Sequence, residues 1–373
     1  MTSHFIGMMS GTSLDAVDGV LVAFNADGVN PQLIKRASIT LPTKVKEQLT
    51  FLAHTETLTF RQLAEAEDAL TRLYSQCALR LLADLPDNQQ PLAMGCHGQT
   101  LEHQPNSTPS YTLQLLNPSL LAELTGQNII ADFRRRDLAA NGQAAPLAPA
   151  FHNSVFRSFN KNRMIVNLGG IANLTFLPKN KQQAVIGFDT GPANLLLDYW
   201  HQLYWQDCFD AGGKKAANGQ IIPALLNKAL ADDYFALPAP KSTGREKFNP
   251  EWLEALLGSY SEKSFAAEDV LRTLTELTAV SLVDQIKWLD PKAEADVFIC
   301  GGGWENSFLI ERINQLAYPR QLASTGTLGI PPQDVEAVAF AWLAWRHYHN
   351  KSGNLPSVTG AKGERVLGGF YPA

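Results

Sequence analysis

The sequence predicts a two-lobed α/β protein in which one arrangement of elements occurs twice. Three observations predict it. From Phe5 to Phe24, two apolar runs flank a small polar turn, and a further strand and a long helix follow. From Arg163 the same succession returns, as strand, glycine turn, strand, strand, helix. The chain has 373 residues, 45% of them hydrophobic and 18% charged, enough for two real cores. The repeat lies in the order of elements and not in residue identity.

The first half reads as follows. Gly7 to Asp18 is too glycine-rich for a helix and too polar for a buried strand throughout, so it is strand, tight turn, strand. Gln32 to Leu41 is a third strand. Lys44 to Leu52 follows, then Thr59 to Leu85, where Leu63, Ala66, Leu70, Leu73, Cys77 and Leu81 recur at helical spacing. Pro86 to Pro91 breaks that helix. Leu92 to Cys96 is a short buried strand that delivers His97, Gly98, Gln99 and Thr100 at its end. Tyr111 to Leu116 is another strand, Pro118 to Thr125 a helix closed by Gly126, and Asn128 to Ala131 a strand. It leads into Asp132-Phe133-Arg134-Arg135-Arg136-Asp137. That cluster reads either as a solvated loop held by ion pairs or as a fork for a carboxylate or hydroxyls. Asn141 to Phe151, small and proline-rich, reads as a crossing between domains, so the expected lobes are 1–140 and 141–373. The C-terminal segment is a candidate to return to the first lobe.

The second half opens with the strand Arg163 to Leu168, the turn Gly169 to Asn173, the return Leu174 to Leu177, and a strand Ala184 to Phe188 ending in Asp189-Thr190-Gly191-Pro192. Ala193 to Trp205 is a helix. Asp210 to Pro223 and Pro238 to Asn249 read as loops, the latter exposed and basic. Asp269 to Leu289 is a long helix. The strand Asp296 to Cys300 ends in Gly301-Gly302-Gly303, and a helix runs from Ser307 to Leu316. Val335 to Tyr348 is apolar nearly all round, so it is expected to be buried. The glycine-rich tail keeps apolar positions and is expected to pack.

Composition excludes several classes. The formal net charge of -5 gives no basic field for nucleic acid or an anionic membrane. No apolar run of about 18 residues exists to span a bilayer. The N-terminus enters a strand without the pattern of a signal peptide. Cys77, Cys96, Cys208 and Cys300 lie far apart with no metal spacing and read as reduced cysteines of a cytoplasmic protein.

The chemistry lies in the glycine turns. Neither a P-loop nor a dinucleotide glycine pattern is present. Gly11, Thr12 and Ser13 offer backbone N–H groups and two hydroxyls on a small surface suited to phosphate. Asp15 and Asp18 would repel phosphate unless a cation such as Mg²⁺ lies between. The alternative is an ordinary hairpin. Gly301 to Gly303, after an apolar strand and before a helix, fits a nucleotide pressed on backbone. With Gly169-Gly170, these turns mark three strand ends, the layout of a two-lobed ATP cleft.

Those turns resemble the phosphate-one, phosphate-two and adenosine motifs of the sugar kinase, heat-shock ATPase and actin superfamily. Within it, Gly7-Met8-Met9-Ser10-Gly11-Thr12-Ser13-Leu14-Asp15, Cys96 to Thr100, Asn167 to Asn173 and Gly187 to Asn194 resemble the anhydro-N-acetylmuramic acid kinase family. The likeness runs over nearly the whole chain. It departs at Ala16 and Ala193, where the family pattern has glycine.

The resemblance implies an actin-like, ribonuclease H-like duplicated fold with an interdomain ATP cleft. It implies a cytoplasmic, homodimeric enzyme of peptidoglycan recycling. With ATP and Mg²⁺ it would open 1,6-anhydro-N-acetylmuramic acid and yield N-acetylmuramic acid 6-phosphate. Asp189 matches the family's catalytic aspartate; a helix N-cap is its other reading. Gly11, Thr12, Ser13, Asp15, Asp18, Gly169, Gly170, Gly301, Gly302, Gly303 and Asn306 are then expected at nucleotide and metal, with Asp15 and Asp18 on the cation. His97, Gln99, Thr100, Arg134, Arg135 and Asp137 are expected at the sugar, an arginine on its lactyl carboxylate. The rivals are another sugar or acyl kinase of the superfamily, or a non-catalytic ATP-dependent switch.

Overall fold

The computed structural model describes residues 2–11, 13–55, 57–239, 241–258 and 265–373. The N-terminal apolar runs form β1 (Ser3–Ser10) and β2 (Ala16–Phe24), paired antiparallel with Met9 opposite Asp18. β3 (Gln32–Thr40) extends the meander. Because side chains alternate along a strand, Ile6, Met8, Val17 and Leu21 reach one core, which they share with Leu70, Tyr74, Cys77 and Leu81 of the helix Phe60–Leu82. That helix starts on a capping box, Thr59 accepting from the Gln62 N–H while the Gln62 side chain returns to the Thr59 backbone. β4 (Ala93–Cys96) is fully buried and parallel to β1. β5 (Gln99–Gln104) and β6 (Tyr111–Leu115) make a separate two-stranded sheet. β7 (Ile129–Ala131) lies parallel to β4.

The second meander is β8 (Arg163–Leu168), β9 (Ile171–Leu177) and β10 (Ile186–Pro192). β11 (Asp296–Cys300) and β12 (Leu322–Ser324) follow, both parallel to β8. The order β10-β9-β8-β11-β12 repeats the order β3-β2-β1-β4-β7 with the same strand directions. The fold is therefore the duplicated, ribonuclease H-like α/β plan expected from the sequence. β13 (Gly369–Tyr371) adds antiparallel to β7 and closes the tail onto the first sheet.

The chain divides into one unit up to Phe156 and from Asp334 onward, and another spanning Arg157–Gln333. The sequence puts the first boundary at residue 140 and offers the C-terminal segment as a return to the first lobe; the chain from Asp334 does belong to the first unit, and the first boundary falls later, after Phe156, for a physical reason. Asn141 to Phe151 is not a crossing. Phe151, fully buried, lies with its ring 5.6 Å from Phe156 and 5.9 Å from Trp342, so the segment belongs to the first core. The helix Val335–Tyr348 lies directly on the first sheet. A Cβ on Gly7 would come within 1.9 Å of the Ala337 carbonyl, and one on Gly95 within 2.1 Å of the Phe340 carbonyl. Only glycine permits that approach.

Two expected loops are also more ordered. Lys214–Asn218 is helical, its first N–H groups capped by the Asp210 carboxylate. Pro238 to Asn249 is not an exposed basic loop, since Phe248 is fully buried and Lys241 is buried with its ammonium donating to the Tyr234 and Phe235 carbonyls. Among the described residues no helix is long and apolar enough to cross a membrane.

Candidate active site

In the first unit, the turn after β1 is closed by the Leu14 N–H donating to the Gly11 carbonyl at 3.1 Å, with Leu14 at φ 58°. A Cβ on Gly11 would meet nothing closer than the Ser13 hydroxyl at 3.8 Å, so the backbone there is open to a ligand. Thr12 lies outside the described residues. Ser13 is exposed. Asp15 is 66% exposed and stands 3.6 Å from the Lys46 ammonium, accessible to a hydrated cation. Asp18 is half-buried inside β2. Among the described residues no three His, Cys, Asp or Glu side chains gather as a cage. A site of one or two carboxylates completed by phosphate oxygens and water suits Mg²⁺.

The strand ends beside this turn carry the expected sugar residues. Gln99 is buried and its amide oxygen accepts from the Ser10 hydroxyl, tying β5 to the end of β1. The Thr100 hydroxyl accepts from Gln114 at 3.3 Å. His97 is buried. Its Nδ1 donates to the Gly98 carbonyl at 2.9 Å, and its Nε2 accepts from Arg134 Nε at 3.1 Å. Burial first, then the Arg134 cation, hold His97 neutral, well below the ordinary histidine range. It thus orients an arginine and carries no charge. Arg134 also donates from Nη1 to the Ala144 carbonyl at 2.7 Å. Burial brings its guanidinium down to about 10, partly offset by the Glu336 charge. Nη2 makes no hydrogen bond among the described residues. Arg135 is exposed and only 3.5 Å from Asp132. Asp137 is wholly buried, with both oxygens bonded inside the protein. The arginine cluster is therefore neither a solvated loop throughout nor a three-pronged fork, because one arginine turns inward.

In the second unit, Asp189 lies in β10 at a bulge between Asp189 and Gly191. It caps no helix: the helix Asn194–Trp205 begins at Ala193 without a side-chain cap. Its Oδ2 accepts from the Thr243 N–H at 2.9 Å, its N–H donates to the Lys241 carbonyl at 3.0 Å, and its carbonyl accepts from the Tyr234 hydroxyl at 2.6 Å. Some surface stays accessible, yet protein packs around the carboxyl. Desolvation pushes it up to about 7; the Thr243 N–H opposes the shift and the Glu246 charge adds to it. A carboxylate with that value is suited to accept a proton near neutral pH. Lys241, Thr243 and Tyr234 were not singled out in the sequence. The one signal was a run of small polar residues, Ser242-Thr243-Gly244, and no spacing tied it to Asp189.

The other glycine turns divide their duties. Gly169 and Gly170 give their carbonyls to the N–H groups of Ala193, Asn194 and Leu195, so they seat the helix start. Gly301, at φ 85°, would put a Cβ 2.2 Å from Asn167, and Gly303 one 2.6 Å from Leu168. Both are demanded by packing. A Cβ on Gly302 meets nothing within 4 Å, so it alone of the three presents open backbone. Asn306 caps the helix Ser307–Ala317 by accepting from the Leu309 N–H at 3.0 Å.

A family profile described as "Anhydro-N-acetylmuramic acid kinase" matches residues 3–373. The anhydro-N-acetylmuramic acid kinase of Idiomarina loihiensis is 45% identical over 370 residues, covering 99% of this chain and 98% of that one. The kinase of the same name from Variovorax paradoxus is 47% identical over 379 residues, with 99% of each chain covered. Among solved structures, the activator of 2-hydroxyisocaproyl-CoA dehydratase from Clostridium difficile with bound ADPNP aligns at a TM-score of 0.48 and 13% identity, over 94% of this chain and 96% of that one. Over its whole length and at these identities, this chain belongs to the anhydro-N-acetylmuramic acid kinase family.

Proposed function

We propose that this chain is a cytoplasmic kinase that opens 1,6-anhydro-N-acetylmuramic acid with water and phosphorylates it from ATP, giving N-acetylmuramic acid 6-phosphate and ADP. The observation that carries the reading is Asp189, a desolvated carboxyl raised to about 7 and aimed by the Thr243 N–H.

Asp189 takes a proton from water as the water oxygen bonds to the anomeric carbon. The bond from that carbon to the bridging oxygen breaks. The freed oxygen, still on C6, bonds to the γ-phosphorus, and the bond to ADP breaks. The open backbone at Gly11 and the Ser13 hydroxyl would take the phosphates, and the open backbone at Gly302 the nucleoside. Asp15, with Asp18 behind it, would hold Mg²⁺, which supplies charge neutralisation for the phosphoryl oxygens. Arg134, oriented by His97, receives the lactyl carboxylate through its remaining donors. Gln99 and Asp137 support this wall from inside and do not touch the sugar.

The test is turnover in ¹⁸O-water with ATP and the anhydro sugar, against ATP alone. The expected result is sugar-dependent ADP formation with label on the anomeric carbon and none in phosphate. Label in phosphate, or ADP formation indifferent to the sugar, overturns the reading in favour of water attack at phosphorus or a nucleotide-driven switch.

A further inference from the structure

We propose that the C-terminal tail positions Arg134 through a buried relay, so that Thr359 and Asn354 help set the preference for a sugar bearing a carboxylate. The inference rests on the reading that Arg134 receives that carboxylate.

The relay runs through four bonds. Arg134 Nη1 donates to the Ala144 carbonyl at 2.7 Å. The Ala144 N–H donates to Asp137 Oδ2 at 2.8 Å. Asp137 Oδ1 accepts from Asn354 Nδ2 at 2.7 Å and from the Thr359 hydroxyl at 2.9 Å. Asp137 is fully buried, and among the described residues no cation pairs with it. Neutral donors alone satisfy its two oxygens, so losing one leaves a buried acceptor short of a partner.

Ala144 shows why the relay matters. It is fully buried and holds φ 56°, a left-handed conformation that is uncommon for alanine. Such a residue persists when its surroundings over-determine it. Here its N–H is fixed by Asp137 and its carbonyl by Arg134. The tail is bound to the same loop by Gln143 N–H to the Thr359 carbonyl at 2.7 Å and Lys362 N–H to the Ala140 carbonyl at 2.8 Å. His97 fixes the Nε edge of the guanidinium. The arginine is thus held on two edges, one of them by residues more than 200 positions away in the chain.

The experiment compares Thr359→Val, Thr359→Ser and Asn354→Ala in the full-length enzyme, each alone and combined with Arg134→Ala. Calorimetry measures binding of 1,6-anhydro-N-acetylmuramic acid and of the matching anhydro sugar without the lactyl ether. Kinetics give kcat and the KM for ATP. Thr359→Val should weaken the acidic sugar roughly 3- to 10-fold, the effect of one lost buried hydrogen bond. It should leave the neutral sugar and the KM for ATP unchanged, and Thr359→Ser should restore binding. In the Arg134→Ala background, Thr359→Val should have no further effect. Equal losses on both sugars, or an undiminished loss in that background, overturn the relay and leave the tail a folding element. No loss with Thr359→Val or Asn354→Ala overturns it as well. If Arg134→Ala itself leaves the acidic sugar unaffected, the assignment of the carboxylate to Arg134 fails, a result distinct from failure of the relay.

Discussion

The backbone N–H of Thr243 donates to Asp189 Oδ2 at 2.9 Å. The bond fixes the carboxylate with one oxygen engaged, and in the proposed reaction the other oxygen takes the proton of water. Asp189→Asn can keep that bond through its amide oxygen but cannot take a proton. Ring opening and phosphorylation should therefore fall together, by about 10²–10⁴-fold. Sugar and ATP should still bind in calorimetry. A variant retaining more than about a tenth of wild-type turnover would place the base elsewhere.

With Asp189 as the proposed base, its raised carboxyl should set the pH dependence of both activity and stability. Only the ionised form accepts a proton, so kcat/KM should fall as pH drops through about 7. For stability the sign is opposite to that of a salt-bridged acid. Folded Asp189 holds its proton to about 7, while the unfolded chain releases it near 3.8, the ordinary aspartate value. The folded state therefore loses stability as pH rises through this window, by up to about 4 kcal/mol once pH exceeds 7. Asp189→Asn should raise the melting temperature at pH 8, and the gain should vanish near pH 4. A pH-independent gain would attribute it to something other than ionisation.

The inward turn of Arg134 separates it from its neighbour. Arg134→Ala should weaken the acidic sugar by roughly 2–5 kcal/mol, as for a desolvated charge pair. Arg135→Ala, removing an exposed side chain 3.5 Å from Asp132, should change binding little. Equal losses from the two variants would return the role to the loop as a whole.

The three C-terminal glycines should behave differently on substitution. Gly302→Val places its side chain in open space, so the protein should fold normally and show a raised KM for ATP with sugar binding intact. Gly301→Ala meets Asn167 at 2.2 Å and requires φ 85°, so it should lower the melting temperature before any effect on ATP is read. Normal ATP binding by Gly302→Val would remove the nucleotide from this backbone.

By itself, the sequence determined the two meanders, the long helices and the place of Asp189 near the end of the second meander's last strand, which runs on to Pro192. These rest on local physics: periods of 2 and 3.6 and glycine at turns. The turn closed by Leu14 on Gly11 and the strand ends before His97 and Asp132 were legible for the same reason, since a turn or strand end is written in neighbouring residues. Which side chains face inward was not. His97 and Arg134 join across 37 positions, and Asp137 meets Thr359 across 222, so no window of sequence contains both partners. Only tertiary structure decided that Asp137 is a buried clasp, that Gly301 and Gly303 serve packing while Gly302 lies open, and that the loop from Lys241 closes on Asp189. It also decided that the helix Val335–Tyr348 returns to the first sheet, because Gly7 and Gly95 let its backbone approach where any Cβ would collide. Burial is a property of the assembled core, and it is burial that turns Asp189 from an ordinary acid into a base suited to neutral pH.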